Sequence, residues 1–169
     1  MSNAISQMQM IYNAEEDRVL FRLNSTEAQE FRFWITQRYA RLLHRVLMTH
    51  VESDPDVALH PSVEGRQSIK QFKQAQADSS ANFEKAFDET AREYPLGEAI
   101  MLAFQLTYKI QGENLHLSIQ PKVGQGVNLV VNRDINASLG ALLKSAAEKG
   151  GWRLGDAVSR PPASKRIIN

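Results

Sequence analysis

The chain reads as an α+β protein: two antiparallel three-stranded meanders, each followed by a helix (βββα), with a helical insertion between them. Three observations predict this. Apolar and polar residues alternate in six short runs separated by turn-forming residues. Twice the third run gives way to apolar residues at three- and four-residue steps, the period of a helix face. The second half also repeats the pattern of the first at an offset of 96 residues, Val19 falling on Leu115 (115 − 19).

Met8, Met10 and Tyr12 alternate with polar neighbours as a first strand, and Asn13 to Asp17 is a polar turn. Val19, Phe21 and Leu23 form the inward side of a second strand. Asn24-Ser25-Thr26 carries turn chemistry, and Phe31, Phe33 and Ile35 give a third strand. Thr36 is placed to cap a helix whose apolar face is Tyr39, Leu42, Leu43, Val46 and Leu47. Pro55 ends it, because proline disfavours helical geometry in the residue before it.

Residues 54–65 read as a loop. From Arg66 to about Tyr94 the composition favours helix, with a thin apolar stripe of Ile69, Phe72, Phe83, Phe87 and Tyr94. The second unit comes next: Phe104, Leu106 and Tyr108; then Leu115, Leu117 and Ile119; then Val127, Leu129 and Val131. Asn132 caps a helix carrying Ile135, Leu139, Leu142, Leu143 and Ala146. Gly150-Gly151 ends it, and Trp152 and Leu154 make a last anchoring contact.

The nine inward strand positions match between the halves without a gap at the offset of 96, as do the caps Thr36 and Asn132. Identical residues are few, so the pattern fits either a structural pseudo-repeat or two similar meanders. Each unit has one apolar sheet face and one helix, and joining the units makes one continuous core. The expected organisation is a single domain over residues 7–154, with unit one at 7–53, the insertion at 54–97 and unit two at 98–154. Residues 155–169, with Pro161-Pro162 and basic residues, are expected to form a disordered tail. Ser2-Asn3-Ala4 resembles a tag remnant, and residues 1–6 are left out of the fold.

Composition excludes several kinds of chemistry. The 169 residues contain no cysteine, so disulfides, thiolate metal sites and cysteine nucleophiles are out. A hydrophobic content of 43% fits a globular chain. No apolar run is long enough to span a bilayer and no basic–apolar leader is present, so cytoplasmic residence with no membrane partner is expected. The 20 basic and 19 acidic residues sum to +1, unevenly spread. Residues 51–97 carry 5 basic and 9 acidic groups, net −4, and residues 151–169 carry 4 and 1, net +3. Both segments are simply solvated, or the basic tail lies on the acidic insertion.

No catalytic, cofactor or metal site emerges. His44, His50, His60 and His116 lack the two- or four-residue spacing that gathers ligands on one element. His44 reads as the edge of a helix's apolar face and His116 as the outward face of a strand. Gly124-Gln125-Gly126 precedes a strand rather than a helix, so a hairpin turn explains it better than a phosphate loop. Glu15-Glu16-Asp17 and Asp88-Glu89 read as solvated acids.

One constellation stands out. The outward side of strands two and three carries Arg18, Leu20, Arg22, Glu30, Arg32 and Trp34. Arginine beside an aromatic suits a protein interface or a stacking platform for single-stranded nucleic acid. The insertion helix is the third possible occupant, burying Leu20 and Trp34 against Phe83 and Phe87. The expectation is a non-enzymatic interaction module that self-associates or binds a protein partner through Arg18, Leu20, Arg22, Arg32 and Trp34, with single-stranded nucleic acid as the alternative.

Overall fold

A computed structural model describes residues 4–60, 62–80, 86–90, 93–155 and 167–168. Three strands, β1 (Ile5–Asn13), β2 (Arg18–Ser25) and β3 (Glu30–Ile35), form the expected antiparallel meander. β1 begins earlier than expected: Ile5 faces Ser25, and the Ala4 carbonyl accepts from the Thr26 N–H at 3.0 Å. The inward residues Val19, Phe21, Leu23, Phe31, Phe33 and Ile35 are all buried.

Thr36 caps α1 (Gln37–Glu52), its hydroxyl accepting from the Tyr39 N–H at 3.2 Å. The insertion is ordered differently from expectation. Residues 54–65 are not all loop, because Asp54 caps the short helix α2 (Pro55–Ala58) and Ser62 accepts from the Gly65 N–H at 3.0 Å at the start of α3 (Val63–Ser80). The helix expected over 66–94 therefore starts sooner and is not continued through residues 86–90 and 93–98. There the Asp88 carboxylate accepts from the Thr90 N–H at 2.9 Å, a local turn that competes with helix. The Glu93 backbone pairs with Ala28 and Glu30 at the start of β3. Phe83 lies outside the described residues.

The chain then adds β4 (Met101–Leu102) parallel to β3, so the first sheet runs β1-β2-β3-β4 and is not purely a meander. It crosses at once to the second sheet, β5 (Gln105–Gln111), β6 (Asn114–Gln120) and β7 (Val127–Val131), antiparallel throughout. Gly126 sits where a Cβ would lie 2.0 Å from the Ile119 carbonyl oxygen, which is why the loop before β7 needs glycine. Asn132 caps α4 (Arg133–Lys149) by accepting from the Ile135 N–H at 2.8 Å. Of the expected tail, residues 156–166 and 169 lie outside the described residues. Ile167 and Ile168 form β8 (Ile167–Ile168) on the free edge of β5.

The gap-free match between halves needs one correction. Phe21 pairs with Phe33 and Leu117 with Leu129, an offset of 96 on both strands. In the first hairpins, however, Phe21 faces Met10 and Leu117 faces Tyr108, an offset of 98 (108 − 10). Met8 therefore corresponds to Leu106, not Phe104. The β1–β2 turn leaves residues 14–17 outside the pairing, whereas the β5–β6 turn leaves only 112–113. The difference of two keeps every inward side chain on its face.

Each helix packs across the boundary between units, α1 against β5 and α4 against β1, and the two helices pack on each other. Tyr39 of α1 is buried and donates its hydroxyl to the Gln105 carbonyl at 3.1 Å; that burial raises its phenol well above the ordinary value. Trp152 meets Tyr12 edge-on, ring centres 5.7 Å apart. One continuous apolar cluster results.

A polar tie lies inside it. His50 is fully buried at the end of α1. The Asn136 amide nitrogen donates to the Leu47 carbonyl at 3.1 Å and lies 2.8 Å from His50 Nδ1, while His50 Nε2 lies 2.8 Å from the Glu113 carbonyl. Because Leu47 O can only accept, the amide presents N–H to Nδ1. The ring is then neutral, with its proton on Nε2. Burial holds its pKa below the usual histidine value, aided by the Arg133 charge and opposed by the Glu113 hydrogen bond and by Asp54.

Unfolding frees this ring to take a proton that the folded site refuses. Stability is therefore level at neutral pH and falls as the pH drops below the ordinary histidine value of about 6.5. Burial shifts His44 the same way, so a His50→Gln variant isolates the share of His50: its loss between about pH 7.5 and 5.5 in denaturant titrations is smaller than that of the wild type. Asn136→Ala, which leaves the buried His50 Nδ1 without its donor, costs about 1–3 kcal/mol at neutral pH by the same measurement.

Candidate functional site

The outward face of the first sheet gathers the expected residues, and strand register explains how. Arg22 lies directly opposite Arg32, and Leu20 opposite Trp34. Two like charges across an antiparallel pair repel. Glu30, opposite Asn24, resolves this: its carboxylate lies 3.0 Å from Arg22 Nη2 and 3.7 Å from Arg32 Nε, and its side chain is only 2% exposed. One buried carboxylate thus serves two guanidiniums, leaving a net charge of +1 at this spot.

The second carboxylate comes from the insertion. Glu89 grips Arg22 in a two-point pair, with both N···O distances 2.8 Å. The Arg22 guanidinium also lies 4.3 Å from the centre of the Phe87 ring, and that of Arg32 lies 4.2 Å from the Tyr94 ring. Arg32 Nη2 donates to the Glu98 carbonyl. The hydrogen bond from Arg22, strengthened by its charge, holds the Glu89 carboxyl below its ordinary range. An extended strap, residues 86–90 and 93–98, therefore covers the Arg22/Arg32 half of the face. α3 does not: it packs on α2 and α4, with Lys70 at 3.1 Å from Glu52 and Lys73 at 2.6 Å from Asp54. Burial raises the Asp54 carboxyl, but Lys73, the Asp56 N–H and Arg133 outweigh it and hold the group low.

The other half of the face is apolar and less covered. Ile11 faces Leu20, Leu20 faces Trp34, and Trp34 faces Leu102, so four strands contribute one apolar row in register. Ile11 is 46% exposed and Leu102 41%, with Leu20 and Trp34 half-buried between them. Arg18, paired with Glu16 at 2.8 Å, sits 5.6 Å from the Trp34 ring centre.

All five expected surface residues thus share one face. Sequence reasoning missed Ile11, Leu102, Gln7 and Asn24 there. Ile11 breaks the alternation between Met10 and Tyr12, which was a usable signal; Leu102 needed the unexpected parallel strand. Of the histidines, His44 is half-buried and His116 exposed, as expected, whereas the full burial of His50 had no signal in spacing. Among the described residues no three His, Asp or Glu side chains converge as a metal site would require.

Glu30→Gln, which leaves two opposed guanidiniums with no buried countercharge, lowers the unfolding free energy by about 3 kcal/mol. Glu89→Gln has a much smaller effect, because that carboxylate is 65% exposed. Denaturant titration of both variants checks the contrast.

No family model matches the chain, nor does any curated protein or any solved structure, so the geometry of this face carries the functional conclusion alone.

Proposed function

We propose that the chain is a non-catalytic protein-interaction module, and that its outer sheet face, built on Arg18, Leu20, Arg22, Arg32 and Trp34, binds a second copy of the chain. The observation that carries this is the apolar row Ile11–Leu20–Trp34–Leu102, continuous across four strands with both ends open to solvent. Contiguous apolar surface bordered by polar groups marks contact sites, and tryptophan and arginine dominate their energetics.

The charges favour a copy of the same face. Arg18, Arg22 and Arg32 are already paired within the chain with Glu16, Glu30 and Glu89, so the border of the row carries little net charge to repel an identical face across a two-fold contact. The same carboxylates count against single-stranded nucleic acid, whose phosphates would meet them. The two βββα units also fit an internal duplication, in support of which β2–β3 and β6–β7 share one register.

Sedimentation velocity over a range of concentrations tests the interface. The wild type associates with itself. Ile11→Glu, placed on an exposed end of the row, and the pair Trp34→Ala with Arg32→Ala sediment as monomers. A wild type that stays monomeric, or variants that associate equally well, overturns the proposal. Titration with labelled single-stranded RNA and DNA at two salt concentrations addresses the alternative: no binding is expected even at low salt, whereas binding that weakens steeply with salt would establish it.

A further inference from the structure

The strap meets the sheet as a bound peptide would. The Gln7 side-chain amide reads its backbone at two points, donating to the Ala86 carbonyl at 3.1 Å and accepting from the Asp88 N–H at 2.9 Å. Asn24 donates to the Asp88 carbonyl at 3.4 Å. Further along, the Glu93 backbone makes a single parallel bridge to Gln29 at the start of β3: Glu30 N–H donates to the Glu93 carbonyl at 2.9 Å, and Glu93 N–H to the Ala28 carbonyl at 3.3 Å. Backbone pairing along a strand, with pockets for alternate side chains, is how proteins take up extended peptides. Here the side chains read are Phe87, under the Arg22 guanidinium, and Glu89, in its two-point grip.

The fit is incomplete. Two acceptors on this half of the face, Asn24 Oδ1 and Glu30 Oε2, are buried and accept no hydrogen bond among the described residues. Buried polar atoms are rarely left in that state. Glu30 Oε2 has only the longer approach of Arg32 Nε at 3.7 Å, and both atoms can accept from an N–H donor. The described strap residues supply the carboxylate and the ring but not those donors, so an occupant offering them as well gains contacts that these residues do not make.

We infer that the Gln7/Asn24/Arg22/Arg32 half of the face is a docking site for an extended acidic–aromatic peptide segment of another protein, and that residues 86–90 and 93–98 are its resident stand-in, displaced when that partner binds. This site adjoins the apolar row Ile11–Leu20–Trp34–Leu102 and shares Arg22 and Arg32 with the face proposed to join two copies. A tethered stand-in competes at a high effective concentration. It lowers the apparent affinity for a peptide in trans by the fraction of time the site is closed.

The test uses the full-length chain and a fluorescein-labelled peptide with the sequence of residues 86–98, followed by anisotropy. A Phe87→Ala/Glu89→Ala variant, whose own strap is weakened, binds this peptide at least about tenfold more tightly than the wild type does. Adding Arg22→Lys, which keeps the charge but loses the two-point geometry, removes most of that binding. A peptide with Phe and Glu replaced by Ala does not bind. Circular dichroism and thermal melts establish that each variant is folded. A folded Phe87→Ala/Glu89→Ala chain that fails to bind the peptide overturns the inference, as does equal binding by the Arg22→Lys form. Preference for a labelled RNA over the peptide overturns it in favour of an anion platform. Sedimentation of Ile11→Glu, which alters the row and leaves Gln7, Asn24, Arg22 and Arg32 intact, reads self-association apart from these outcomes.

Discussion

Glu30 is the residue on which the outer face depends. Antiparallel register sets Arg22 against Arg32, and without a carboxylate between them that pairing would be repulsive. Glu30 is buried to the point that water cannot do this work for it. It leaves one positive charge uncompensated, and the insertion answers with Glu89. The placement of residues 86–90 and 93–98 on the sheet, the aromatic rings over both guanidiniums and the backbone pairing at Glu93 all depend on where that surplus charge sits.

The interior works by a different constraint. Neither βββα unit closes its core alone, because α1 lies on β5, and α4 lies on β1 as well as on β7 of its own unit. The Tyr39 hydroxyl on the Gln105 carbonyl and the Asn136–His50 pair fix the directions of these crossings, which apolar contact alone does not specify. Asymmetry then enters through the insertion: α3 is held by Lys70 and Lys73 beside the helices, and the strap returns over the opposite sheet's outer face. Two arginines from outside the insertion answer part of the acidic surplus of residues 51–97, Arg133 at Asp54 on one side and Arg22 at Glu89 on the other.

Much of this is legible in the sequence, and the reason is periodicity. Val19, Phe21, Leu23, Leu115, Leu117 and Ile119 announce their face because a half-buried strand has a two-residue repeat. Thr36 and Asn132 announce the helices because their side chains satisfy free N–H groups. The five outward residues of the candidate face are read from the same alternation. The illegible parts lie where tertiary contact overrides local preference. Residues 86–90 and Glu93 belong to a stretch of helix-forming composition, but the Asp88 turn and the β3 edge claim their backbone. β4 is only two residues long and has no period to read. His50 looks like any helical histidine until Asn136, far away in sequence, arrives beside it. The two-residue slip between the first hairpins is invisible because a shift of two preserves alternation.

The central claim is that the strap is an exchangeable occupant of the face rather than part of the fold's foundation. Native-state amide hydrogen exchange measures this most directly, because local and global opening have different free energies. The amides of Glu30 and Glu93, whose hydrogen bonds join strap to sheet, are predicted to exchange through a local opening, many-fold faster than those of Leu117 or Leu129 in the core of the second sheet. Exchange of all four only through global unfolding, at one common rate, would contradict the account.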